Sequence, residues 1–62
     1  MVHRKIYNEC IKNLNATYIS IQAKKNGEYP FGYVIDYLKD VYGLSKIEGW
    51  ETAKEICKYF RF

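Results

Sequence analysis

A chain of 62 residues with a formal net charge of +3 makes one domain, and at this size folding removes only about 60% of the surface an extended chain exposes. A composition that is 48% hydrophobic and 27% charged excludes disorder, and seven Tyr, three Phe and one Trp supply bulky side chains to a small core. No stretch approaches the ~18 apolar residues of a membrane span, and the first residues, MVHRKIYNECIK, lack the apolar run of a secretory signal. The expected setting is cytoplasmic, with no membrane contact.

The first predicted element is a helix over about 3–25. Tyr7, Cys10, Ile11, Leu14, Tyr18 and Ile21 recur at steps of three and four, which places them on one stripe. Lys5, Glu9, Lys12, Ala16, Ser20 and Ala23 fall on the far side. Asn13-Leu14-Asn15-Ala16-Thr17 is the weak point, because Asn and Thr side chains compete for backbone hydrogen bonds and could divide the helix in two. Asn26-Gly27 supplies the left-handed residue that ends it.

An α+β alternative reads residues 17–34 as a hairpin turning at Asn26-Gly27, since Ile19, Ile21 and Ala23 alternate with Ser20, Gln22 and Lys24. Pro30 and Gly32 in the second strand argue against it, because proline cannot donate to a ladder.

Pro30 suits the first turn of a second helix, about 30–42, whose apolar face is Phe31, Val34, Ile35, Leu38, Val41 and Tyr42. Gly43 ends it, and Ser45 with Glu48 has the spacing of a capping box for a third helix, about 46–60. Trp50, Ala53, Ile56, Cys57 and Phe60 form the core face of that helix, with Ile47 near its edge. The expected fold is all-α: a single three-helix bundle over 1–62 with short connections.

No catalytic or metal motif is present. Cys10 and Cys57 form no CxxC pair, His3 is the only histidine, and the four glycines are too scattered to form a phosphate loop. Each cysteine falls on an apolar stripe, and parallel first and third helices would hold the two at opposite ends of the bundle. Buried thiols are therefore expected rather than a disulfide. The chain reads as non-enzymatic, with no cofactor.

The segment 31–60 resembles a helix-turn-helix in its helix, its Gly-Leu-Ser turn and its second helix, which implies a nucleic-acid-binding regulator as the alternative function. Lys39 stands where the motif has a small residue, and Gly49 and Thr52 where it has apolar ones. Charge also opposes that reading. Residues 1–27 carry Arg4, Lys5, Lys12, Lys24 and Lys25 against Glu9 alone, whereas residues 28–62 hold more acidic than basic side chains. Phosphate contacts would therefore come from Arg4, Lys5, Lys12, Lys24 and Lys25 on the first helix.

The leading expectation is a small protein-binding module acting as inhibitor, adaptor or regulator. Tyr33 and Tyr37 lie one turn apart, off the apolar stripe, beside Asp36 and Asp40. Exposed, the four would form an aromatic and acidic strip suited to a protein with a basic surface. Ile19, Tyr29, Tyr59 and Phe62 are further apolar residues that the stripes leave unused, and the surplus favours an interface with another protein or with a second copy. In size and lack of catalytic motifs the chain is similar to small phage or mobile-element proteins that block a host machine.

Overall fold

The computed structural model describes residues 1–62 and is wholly helical: α1 (Arg4–Asn13), α2 (Ala16–Lys25), α3 (Pro30–Tyr42) and α4 (Lys46–Tyr59). α1 packs on α4, α2 on α3, and α3 and α4 pack on each other most extensively. No helix is long and apolar enough to cross a membrane.

The expected three-helix bundle is corrected to four helices, and the hairpin does not form. Leu14 and Asn15 adopt extended backbone between α1 and α2, and Asn15 Oδ1 accepts from the Tyr18 N–H at 2.8 Å to restart the helix. The weak point in the sequence is the true boundary. A continuous helix over 3–25 would run about 34 Å at 1.5 Å per residue, whereas the longest dimension of the molecule is 27 Å. The break lets both halves find a partner, and it drops Leu14 into the core.

The break also resets the helical phase. Tyr18 and Ile21, expected on the buried stripe, are exposed, while Ile19 and Ala23, one turn apart, are buried. A hairpin would have put Ile19 and Ile21 on one face; a helix separates them. Gly27 takes the left-handed φ of 70° that ends α2, and Pro30 sits in the first turn of α3.

α3 buries Val34, Ile35 and Leu38 as expected, but Val41 near its end is exposed. Gly43 is left-handed at φ 71°, and its N–H donates to the Lys39 carbonyl at 3.0 Å. Ser45 Oγ accepts from the Glu48 N–H at 3.1 Å, and Glu48 accepts the Ser45 N–H at 3.0 Å. Those two bonds complete the capping box. The Ser45 N–H, donated to the Glu48 carboxylate, holds that carboxyl below its ordinary value, with the Ser45 side chain adding to the effect.

The core is built by Cys10, Leu14, Ile19, Val34, Ile35, Leu38, Leu44, Ala53, Ile56 and Cys57. Full burial of Ile19, Leu38 or Ile56 stabilises the fold by roughly 1.5–3 kcal/mol each. On α4, Ala53, Ile56 and Cys57 are buried as expected and Phe60 packs against the core, but Trp50 and the edge residue Ile47 are exposed while Gly49 and Thr52 are buried. A Cβ on Gly49 would stand 3.4 Å from Leu38 Cδ1, in ordinary van der Waals contact, so position 49 faces α3 and the next residue, Trp50, turns outward.

Cys10 and Cys57 are both free and buried. Cys10 lies beside Tyr42 at the end of α3, and Cys57 lines a groove with Tyr29, Pro30 and Phe31 at its start.

Candidate protein-binding face

The strip expected on α3 is only partly at the surface. Asp36 and Asp40 are exposed, but Tyr33 and Tyr37 are half-buried and pack against the core, so the condition of full exposure is met by the two carboxylates alone. Tyr33 meets Tyr18 of α2 edge-on with ring centroids 6.4 Å apart, and Tyr37 lies 6.2 Å from Tyr42. Burial pushes the Tyr33 hydroxyl up to about 12, with the neighbouring Tyr18 adding to the effect, and burial likewise raises Tyr37. Tyr18 of α2 thus covers part of Tyr33, while Tyr37 lies between Tyr33, 6.3 Å away, and Tyr42.

Arg4, Lys5, Lys12, Lys24 and Lys25 are all exposed. They no longer share one helix, since three stand on α1 and two on the last turn of α2. The Arg4 guanidinium rests 5.5 Å from the Tyr7 ring centroid.

Further exposed apolar side chains lie along the outer side of α4 and the groove between α4 and α3. Ile47 is 88% exposed and Tyr29 85% exposed. Trp50 packs edge-on against Phe31 of α3 with centroids 4.8 Å apart and an interplanar angle of 79°. It keeps 41% of its surface open. Lys46 Nζ sits 6.0 Å from the Trp50 ring centroid.

Beyond Trp50 the groove opens to about 550 Å³, with Tyr29, Pro30, Phe31, Cys57 and Phe62 as its apolar wall. Glu51, Lys54, Glu55 and Lys58 of α4 form the opposite rim. Arg61 adopts a left-handed φ of 64°, and the Phe62 N–H returns to the Cys57 carbonyl at 2.9 Å. This turn brings the Phe62 ring back to the groove instead of continuing the helix.

Sequence reasoning missed this face because Trp50 and Ile47 were assigned to the core or its edge. Periodicity alone carried no signal for it, since Gly49 and Thr52, the residues buried in its place, are not apolar side chains.

The polar chemistry elsewhere is sparse. Tyr42 donates its hydroxyl proton to Glu9 Oε1 at 3.0 Å, and burial of Tyr42, with that bond, raises its pKa well above the ordinary value. Burial pushes the thiols of Cys10 and Cys57 up to about 11. No three His, Cys, Asp or Glu side chains stand close enough together to hold a metal ion. In comparisons with known proteins, no family model, no curated protein and no solved structure matches the chain.

Proposed function

We propose that this protein is a non-enzymatic protein-binding module, acting as an inhibitor, adaptor or regulator, and that it binds through the outer face of α4 and the adjoining α3–α4 groove. The observation that carries this reading is the run of exposed apolar side chains on one side of the molecule: Ile47, Trp50, Tyr29 and Phe62. Scattered exposed apolar residues are ordinary, but a contiguous set rimmed by charge is the usual mark of an interaction site. The exposed pair Asp36 and Asp40 supports a partner with a basic surface at the edge of the same helix.

Two further features favour this reading, one over catalysis and one over nucleic-acid recognition. A nucleophilic cysteine needs a depressed pKa and access, and here both thiols are buried and raised. A recognition helix presents polar side chains to base edges, whereas the exposed side of the first turns of α4 carries Ile47 and Trp50, Thr52 is buried, and the Glu48 carboxylate is engaged by the capping box. The five cations of the nucleic-acid alternative are also divided between two helices, which leaves that reading second.

The test is capture from a nuclease-treated lysate of the source cell, comparing wild type with Ile47→Asp, Trp50→Ala and the pair Asp36→Lys, Asp40→Lys. The reading expects a protein held by wild type and lost from the Ile47 and Trp50 variants while helicity is unchanged. If the same protein is lost only from the aspartate variant, the α3 strip is the site instead. Capture of nothing but nuclease-sensitive material would favour nucleic acid.

A further inference from the structure

Resting on the reading of this face as a protein-binding surface, we infer that its partner in the free protein is a second copy of the chain, docked as an antiparallel α4–α4′ pair about a two-fold axis passing between Lys54 and Glu55. An isologous interface requires a patch that is complementary to itself when rotated by half a turn. The outer face of α4 has that property in both charge and shape.

The charge pattern is self-complementary. Ile47, Glu51, Lys54 and Lys58 follow one another at steps of four, three and four, which aligns them on one side of the helix, with Glu55 beside them. All four are exposed. Running the same helix antiparallel about the stated axis sets Glu51 opposite Lys58 of the second copy, and Lys54 opposite its Glu55. Each pair occurs twice by symmetry, and every facing pair has opposite sign. Glu51 and Lys58 are seven residues apart on their own helix, about 10 Å at 1.5 Å per residue, too far to satisfy one another within a chain.

The shape is complementary in the same register. Ile47 projects from the first turn of α4 at 88% exposure. It lies about 11 Å on one side of the axis. Position 62 is the symmetric counterpart of position 47 about this axis, and Phe62 lines one end of the groove of about 550 Å³ that runs beside Glu51, Lys54, Glu55 and Lys58. The half-turn therefore carries the Ile47 knob of each copy toward the groove of the other, opposite Phe62, and Trp50 lies alongside. A standard interface covers roughly 800 Å² per partner, an area that one broad side of a molecule measuring 27 × 20 × 16 Å can largely supply.

Sedimentation equilibrium of the purified protein, with Glu51→Lys and Lys58→Glu prepared separately, tests this arrangement. Wild type is expected to dimerise. Each single reversal places like charges opposite one another twice and should weaken the dimer by about tenfold or more. Mixing the two single variants in equal amounts should restore association as a heterodimer, because one copy then presents two lysines and the other two glutamates. A wild type that stays monomeric to about 1 mM, single reversals without effect, or a mixture that fails to re-associate would each overturn the pairing. Helicity by circular dichroism separates these results from misfolding.

The two readings fail separately. A monomeric protein that still loses its captured partner on Ile47→Asp would remove the dimer and keep the binding face. A charge-dependent dimer whose capture of other proteins ignores Ile47→Asp would keep the dimer and remove the heterologous role.

Discussion

The backbone N–H of His3 donates to the Thr52 hydroxyl at 2.9 Å, joining the N-cap of α1 to the middle of α4 across 49 positions of sequence. Thr52 is fully buried, and α1 has no side-chain cap of its own. α4 thus supplies from across the core a polar partner that the local sequence of α1 lacks. Thr52→Val keeps the shape and removes the acceptor. It should lower stability by about 1 kcal/mol, measured by urea denaturation, and should speed hydrogen exchange at the His3 amide more than elsewhere in α1.

Asn15 sets the boundary between the first two helices. Asn15→Ala removes the acceptor for the Tyr18 N–H and should cost about 1 kcal/mol. Asn15→Ser retains a capping oxygen and should cost much less. Equal denaturation midpoints for wild type and the alanine variant would show that the side-chain cap does not hold the break.

Both thiols should resist labelling until the protein unfolds. With its pKa pushed up to about 11 by burial, each cysteine is only about one part in a thousand thiolate at pH 8. An aromatic disulfide reagent at that pH should react slowly with the folded protein, then modify two thiols rapidly in guanidinium. Fast labelling of Cys57 alone would mean that the groove beside it opens more widely than the structure shows.

Glu28 and Asp36 make a carboxyl pair. The hydrogen bond to Asp36, followed by burial and by repulsion from the Asp36 charge, raises Glu28 above its ordinary value of 4.5. The folded state therefore holds the Glu28 proton more tightly than the unfolded one. The associated stability is fully present below the unfolded value and is lost as pH rises through the folded value. Glu28→Gln can donate to Asp36 without titrating, so it should raise the thermal midpoint at pH 7, with a difference that shrinks as pH falls below 4.5. A gain that persists unchanged at low pH would assign the effect to something other than this pair.

Much of the local structure was legible in the chain because it depends on neighbours in sequence. Gly27 and Gly43 take the left-handed conformation that a Cβ would strain. Pro30 opens α3, and Ser45 and Glu48 close a reciprocal cap within one turn of α4. The face of α3 followed from its three-four spacing, since Val34, Ile35 and Leu38 are buried as that spacing requires. The all-helical class rests on the same short-range preferences.

The tertiary structure decided what lies on either side of those helices. Whether residues 3–25 form one helix or two depends on whether each half gains more from packing than a continuous helix gains from its hydrogen bonds. That balance is set by α3 and α4, and it turns Ile19 inward, Ile21 outward and Tyr18 onto Tyr33. Trp50 is apolar, yet it faces outward because its neighbour at position 49 is the one turned toward Leu38 and Leu44. Thr52 is polar, yet buried, because His3 reaches it from the other end of the chain. Periodicity ranks side chains by their affinity for a core, but it holds no record of where the neighbouring backbone comes closest, and that distance selects which of two adjacent faces is covered.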